Sequence, residues 1–482
     1  MVLGPEQMRP REGEAGRLNG QLSTYLRYFY SNIELSPQSA DFFLGTENVK
    51  AELESKALKQ SLEIIQRNND VASLLKSPEY QQLIDRQREQ KGDCAVGVSN
   101  CVDGRIPTVH LLGWMAGVSE SLAGVLPTYT STLDGRVRLE SQTLEQSIAA
   151  RPSQEYSELL EIFLAHDHCG AMAKWRDEGK GFQSDDLVAE NLSLFKNGVE
   201  AVTRKYNNSA VAAGRQPLQT VGIRAVYDPE TMGVTVGRGE QNPLSTTDLA
   251  RSLVAEFEDV HGQFAYNFTD LGKLIEKEKA VTDLIDKLYG NEGFTMAVDS
   301  ALTNLDELKG LTPKQQKAFR FLIAKFTASQ ILTGIHEKTD HTHHPFTEHS
   351  EKYMAVTVDD GLNVNVGQYD PEEQSFAAVV SNRDQAVSHI LTEVSLMDTA
   401  SKATRPYVLF ISNALAEDAR DVVTGRPNGA LKQARANVAK NFRDITEDPE
   451  IAGKIKSGEI VPIPVIITNR SRKIVEVPNL AL

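Results

Sequence analysis

Residues 94–105 read CAVGVSNCVDGR, a short apolar run that leads directly into a cysteine, an acid and an arginine. A run of this length, bounded by polar residues, is typical of a buried strand in an α/β sheet. Open α/β sheets carry their functional residues at the carboxyl ends of their strands. We therefore expect a strand that delivers Cys101, Asp103 and Arg105 to one edge of a sheet.

A second group of metal-binding residue types follows at 166–172, which reads HDHCGAM. Together with Cys101, the residues His166 and Cys169 supply two thiolates and one imidazole, all of them good zinc ligands. Three protein ligands leave the fourth tetrahedral position open, as in catalytic zinc sites. The alternatives at this point are a closed structural zinc site and no zinc at all.

Asp103 and Arg105 distinguish a catalytic site from a structural one. Residues two apart on an extended segment point the same way, so both side chains could face a metal held by Cys101. Arg105 could keep Asp103 ionised through a paired hydrogen bond. Zinc lowers the pKa of a bound water to ~7, and a carboxylate that accepts a hydrogen bond from this water would orient it.

The order C-x-D-x-R followed by H-x-x-C-G resembles the β-class carbonic anhydrases, over roughly residues 95–175. The resemblance implies a β-carbonic-anhydrase-like α/β sheet with flanking helices, and one zinc ion on Cys101, His166 and Cys169. It also implies the Asp103–Arg105 dyad, reversible CO₂ hydration, and a strand over 158–165, which by propensity alone could equally be a helix. Residues 114–126 lack the arginine-containing loop of ordinary members, so the lining of the substrate pocket differs.

Two alternatives to CO₂ hydration remain open on sequence grounds. A related zinc hydrolase would use the same metal on carbonyl sulfide or carbon disulfide. A non-catalytic scaffold would use zinc only to hold the middle of the chain together, and it would have no need of Asp103 and Arg105.

Length and charge restrict the class of protein further. The chain has 482 residues, so two or three domains are expected. Its net charge of −15 argues against nucleic acid or an anionic membrane as the main partner. No stretch approaches the ~20 apolar residues needed to cross a bilayer, and the first twenty residues lack the apolar core of a secretory signal. With only three cysteines, we expect a cytoplasmic protein without disulfides. A small-molecule substrate, CO₂ or bicarbonate, is what the resemblance to the β-class carbonic anhydrases implies.

The sequence predicts four parts. They are a disordered lead over 1–20, a helical domain over 21–90, a zinc-binding catalytic domain over 91–335 and a metal-free α/β domain over 336–482. This plan weakly resembles the carboxysomal carbonic anhydrases, whose last domain is a degenerate copy of the catalytic fold. The last third has no cysteine, so we expect one zinc per chain. We also expect a homo-oligomer, with protein docking through the amino-terminal helices as a further option.

Five of the ten histidines fall between His336 and His349. Such a tract suits a second metal site or a proton shuttle, although a solvated linker is the simpler interpretation.

Overall fold

The computed structural model divides the chain into two compact units, Met1–Ser77 with Lys352–Leu482, and Pro78–Glu351. The first is called the terminal unit below and the second the central unit. The structure describes residues 12–35, 49–74, 77–100, 118–122, 157–166, 200, 203–204, 207–208, 210–212, 214, 216–228, 231, 233–264, 271–335, 357–359, 363–365, 368–370, 375–380, 383, 386–387, 406–415, 429–468 and 473–480.

The longer helices, numbered along the chain, are α1 Glu12–Asn32, α2 Val49–Leu74, α3 Pro78–Lys91, α4 Thr246–Leu253, α5 Leu271–Tyr289, α6 Glu292–Asn304, α7 Pro313–Thr333, α8 Gly429–Thr446 and α9 Pro449–Lys456. Short 3₁₀ helices cover Val254–Glu256 and Asp306–Leu308. The strands are β1 Ala95–Asn100, β2 Val118–Leu122, β3 Glu158–His166, β4 Gln219–Asp228, β5 Gly233–Val236, β6 Leu244–Ser245, β7 Thr357–Asp359, β8 Asn363–Asn365, β9 Gln368–Asp370, β10 Ser375–Val380, β11 Tyr407–Leu415, β12 Ile460–Thr468 and β13 Ile474–Glu476. Both units combine helices with a mixed sheet, which confirms the predicted α/β class.

The central unit contains a six-stranded sheet in the order β2-β1-β3-β4-β5-β6. The four strands β2, β1, β3 and β4 run parallel to one another. β5 pairs antiparallel with β4, and β6 pairs antiparallel with β5. The strand expected over 158–165 is therefore present as β3, and β4 is followed along the chain by its antiparallel partner β5. Residues 159–164 of β3 are all buried, as expected of a central strand covered on both faces.

Helix α7 is buried along most of its length, and it begins at a capping box. The Thr312 side chain accepts a hydrogen bond from the Gln315 backbone, and the Gln315 side chain accepts one from the Thr312 backbone. The Gln315 amide also donates to the carbonyls of Leu159 and Gln219, at 3.3 and 3.2 Å, where β3 and β4 begin. This amide fixes the start of α7 against the amino ends of two strands.

The terminal unit contains a five-stranded sheet in the order β13-β12-β11-β10-β9. Its three middle strands are parallel, and the two outer ones pair antiparallel. Helices α1 and α2 cover it with apolar faces at helical spacing, which on α1 comprise Leu18, Leu22, Tyr25, Leu26, Phe29, Tyr30 and Ile33. The terminal sheet and the amino-terminal helices thus share one hydrophobic core.

Strand β12 lies beside the outer strand β13, at one edge of the terminal sheet. It carries Pro462 and Pro464, which lack the backbone N–H that a ladder partner would need. Beside them β13 pairs only with the far end of β12, at Ile466 and Ile467. The buried Tyr25 hydroxyl of α1 donates to the Pro462 carbonyl instead, so a helix side chain takes the place of a neighbouring strand.

Two predictions about organisation need correction. Residues 12–20, expected in a disordered lead, form the first turns of α1 because Leu18 packs into the core of the terminal sheet. The predicted helical domain over 21–90 is divided, since α1 and α2 belong to the terminal unit whereas α3 belongs to the central unit.

Within the described ranges, no helix combines the length and the apolar character that a membrane span requires.

Candidate metal centre

The two motifs follow the ends of two neighbouring strands. β1 and β3 are parallel and adjacent, with Asn100 opposite Leu164. Cys101 is the next residue after β1, and His166 is the last residue of β3. Because parallel neighbours lie about 5 Å apart and rise about 3.3 Å per residue, the backbones of Asn100 and His166 share one edge of the sheet, roughly 8 Å apart.

Of the five predicted site residues, the structure describes one backbone. His166 ends β3, opposite Tyr227 of β4. Cys101, Asp103, Arg105 and Cys169 lie outside the described residues, as does the histidine tract from His336 to His349. Among the residues that are described, which do not include these four, no three His, Cys, Asp or Glu side chains form a group that could hold a metal ion.

The third cysteine, Cys94, lies just before β1 and is fully buried, with its Sγ 3.2 Å from the Ala95 carbonyl oxygen. The buried Lys91 ammonium donates to its carbonyl. Burial lowers the pKa of Lys91 to about 8, in spite of the opposing effect of Cys94 and Asp93. Cys94 therefore belongs to the packing at the amino end of β1, away from the edge where Cys101 follows.

A polar network adjoins the carboxyl end of β4, next to the position of His166. The Thr231 hydroxyl donates to Asp228 Oδ2 at 2.8 Å and lies 3.1 Å from the Thr247 hydroxyl. The Gln330 amide of α7 donates to Thr247 Oγ1 at 2.8 Å and to the Thr231 carbonyl at 2.9 Å. This network ties the turn after β4 to the carboxyl-terminal part of α7 and to the start of α4.

Gly233 begins β5 beside this network, and only a glycine fits there. A Cβ atom at this position would lie 2.0 Å from Thr247 Oγ1 and 3.1 Å from both Gln330 Nε2 and Thr231 Oγ1. The backbone of β5 and the Thr247 hydroxyl can therefore approach each other only because residue 233 has no side chain. The close approach holds the β4–β5 turn at the edge of the sheet where β3 ends with His166.

Thr231, Thr247 and Gln330 are residues of this edge that the sequence did not predict. Threonine and glutamine have no characteristic spacing, and the hydrogen bonds of Gln330 join it to residues 83 and 99 positions earlier in the chain. One signal was present, since residues 228–233 read DPETMG, a run rich in turn-forming residues.

A second polar group lies inside the helical part of the central unit. The Lys325 ammonium of α7 is fully buried and pairs with Glu278 Oε2 of α5 at 3.0 Å. The Gln87 amide of α3 donates to the same Glu278 oxygen at 3.2 Å and to Thr282 Oγ1 at 2.9 Å. Burial lowers the pKa of Lys325, while the carboxylate of Glu278 acts in the opposite direction.

Lys277, next to Glu278 on α5, is also buried. Desolvation by burial lowers its pKa to about 8, and the charge of Lys325 acts in the same direction. Charged groups are therefore enclosed where α3, α5 and α7 pack together.

No protein-family model matches this chain, and no curated protein matches it either. The candidate site therefore rests on the two motifs and on the strand ends that precede them.

Proposed function

We propose that the chain is a zinc-dependent carbonic anhydrase of the β-class type, which catalyses the reversible hydration of CO₂ to bicarbonate. One observation carries the proposal. β1 and β3 are adjacent parallel strands, and each ends where one of the two motifs begins. Two distant segments of sequence, each with potential metal ligands, therefore start from one edge of one sheet.

The donor set fits zinc. Cys101 and Cys169 would bind as thiolates, and His166 as a neutral imidazole, which together leave one tetrahedral position for a small ligand. When bound, zinc supplies a Lewis acid that makes water a nucleophile at neutral pH. The two thiolates also hold the ion firmly while adding negative charge beside it.

The remaining residues have roles in orientation. The Asp103 carboxylate would accept a hydrogen bond from the water that attacks CO₂ and so orient it. The Arg105 guanidinium would keep Asp103 ionised and in place through paired N–H donors. At the neighbouring strand, the Thr231–Thr247–Gln330 hydrogen bonds fix the turn after β4, which limits movement beside His166.

We also infer that only the central unit holds zinc. Residues 170–482 contain no cysteine, so the terminal unit lacks thiolate ligands. The terminal sheet would then be a metal-free copy of the central one.

The test is stopped-flow CO₂ hydration with a pH indicator, on protein whose zinc content has been measured. Asp103→Asn should lower the catalysed rate by about 10²–10³-fold, since positioned proton acceptors contribute on that order, while the zinc content stays unchanged. Asp93→Asn, which alters an exposed acid just before β1, is the matched control and should leave the rate unaltered.

Two results would overturn the proposal. One is full zinc occupancy without hydration above the buffer rate. The other is loss of zinc or unfolding in Asp103→Asn, because the dyad would then be structural.

A further inference from the structure

The terminal unit contains a cleft far from either motif in sequence. It has a volume of about 260 Å³ and lies between α1, α2 and the edge strand β13. This is slightly smaller than the usual 300–1,000 Å³ range for drug-sized ligands. The cleft is therefore large enough to hold a small organic molecule.

The floor of the cleft is apolar and its rim is cationic. Leu18, Ile65 and Ile474 are buried at its base. Arg17 and Lys473 line it as well. No carboxylate occurs among the described residues that line it, although the chain as a whole carries a net charge of −15. A cleft with two cations and no acid in an acidic protein favours an anionic ligand.

The walls of the cleft are fixed by hydrogen bonds to β13. The Asn69 amide of α2 donates to the Ile474 carbonyl at 3.0 Å and accepts from the Ile474 N–H at 2.8 Å. Arg17 of α1 donates to the Val475 carbonyl at 2.9 Å. Both helices are thereby held against the strand, so the cleft is preformed.

The two cations retain capacity to bind a ligand. A guanidinium has five N–H donors, and Arg17 uses one of its nitrogens on the Val475 carbonyl. Within the described part of the chain, the Lys473 ammonium makes no hydrogen bond or ion pair. The carboxylate of Asp70, which follows the lining residue Asn69 in sequence, accepts a hydrogen bond from the Gln66 amide at 2.8 Å and does not line the cleft.

We propose that this cleft binds a small organic anion with an apolar body, whose charged group lies against Lys473 and Arg17 and whose body lies on Leu18 and Ile65. The site is independent of the metal centre and of the proposed hydration activity.

The experiment compares three compounds that share one apolar body, using the full chain and isothermal titration calorimetry. They are 1-naphthoate (anionic), 1-naphthalenemethanol (neutral) and 1-naphthylmethylamine (cationic). We expect 1-naphthoate to bind one site per chain, about tenfold more tightly than the neutral compound, and the cation not to bind. Lys473→Gln should weaken 1-naphthoate about tenfold, because an ionic hydrogen bond is lost.

Two further variants separate charge from apolar contact. Lys432→Gln changes an exposed lysine of α8 in the same unit and should leave binding unaltered. Leu62→Gln, in the apolar part of the cleft, should weaken the neutral compound and 1-naphthoate alike. Absence of saturable binding by 1-naphthoate would overturn the proposal, as would equal affinity for all three compounds or an affinity that Lys473→Gln does not change.

Discussion

Four neighbouring strands follow the same plan in the two sheets of this protein, but the residues at the strand ends differ. In the central sheet β1, β3 and β4 are adjacent and parallel, and the antiparallel β5 comes next. In the terminal sheet β10, β11 and β12 repeat this arrangement, and β13 takes the place of β5. β3 and β11 each have nine residues, and Ile162 and Ile411 occupy the fifth position in both.

The register extends the correspondence to the strand ends. Val98 lies opposite Ile162, and Val380 lies opposite Ile411. Both valines are followed by Ser-Asn, and the next residue is Cys101 in one sheet and Arg383 in the other. Likewise, β3 ends at His166 and β11 ends at Leu415.

The terminal sheet therefore has a guanidinium and an isobutyl group where the central sheet has two candidate zinc ligands. Arg383 is bonded to the buried carboxylate of Asp448, with Nε 2.6 Å from Oδ2, and Asp448 caps α9 through the Glu450 N–H. If the central sheet holds zinc as proposed, the same strand plan serves chemistry in one sheet and stability in the other, according to the residues at the strand ends.

The largest expected effect tests this difference directly. Cys101→Ala should remove zinc and lower CO₂ hydration by more than about 100-fold, which is the upper range for perturbing a partner of a metal ligand. Arg383→Ala should leave zinc and rate unchanged, and lower the free energy of unfolding by about 1 kcal/mol through loss of a half-exposed ionic hydrogen bond. Metal analysis, stopped-flow kinetics and thermal melting measure the two variants. If Cys101→Ala and Arg383→Ala changed the zinc content equally, the proposed difference between the two sheets would be wrong.

The second prediction concerns the turn after β4. Gly233→Ala should destabilise the protein by about 1–3 kcal/mol, because its Cβ would overlap the Thr247 hydroxyl. Gly453→Ala is the matched change in the terminal unit. It lies inside α9 with nothing within 4 Å of the new Cβ, so it should stabilise by about 0.5–1 kcal/mol. Scanning calorimetry would reveal opposite shifts of the melting temperature, and shifts of the same sign would contradict the packing at Gly233.

The third prediction concerns the charged groups that are buried between the helices of the central unit. The pKa of Lys277 is about 8 in the folded protein and 10.5 in an exposed lysine, so the unfolded chain binds more protons between these values. Stability should therefore rise with pH from about 8 to 10.5 and be lowest below 8. Lys277→Met should stabilise the protein by about 1–3 kcal/mol at pH 7.

That gain should shrink as the pH approaches 10. Lys279→Met, which replaces an exposed lysine two residues later on α5, should have little effect at either pH. Urea unfolding at pH 7 and pH 10 measures both variants. If the increase in the free energy of unfolding for Lys277→Met did not vary with pH, the buried ammonium would not be what destabilises the folded protein.

The sequence predicted features that depend on local pattern. The apolar run over 94–98 predicted the strand that leads to the first motif, whereas the strand before the second motif was expected only from the resemblance to the β-class carbonic anhydrases. The grouping of α1 with the terminal sheet depends on contacts such as Tyr25 with Pro462, which are 437 positions apart. No pattern within α1 reveals such a partner, so its apolar face predicted only packing of some kind.

The same limit applies to the candidate site. Its ligands belong to two compact motifs, which a sequence displays directly. Gln330, Thr247 and Thr231 come together only because α7 runs along the sheet to the end of β4, and neither residue type nor spacing indicates that meeting.

The most direct test of the metal assignment is the zinc content per chain, measured by mass spectrometry of metals in wild type and in single alanine variants of the three cysteines. We predict one zinc per chain in wild type and in Cys94→Ala, and a loss of zinc in Cys101→Ala and Cys169→Ala. A ratio near two, or equal zinc in all four proteins, would contradict the assignment of the metal to the carboxyl ends of β1 and β3.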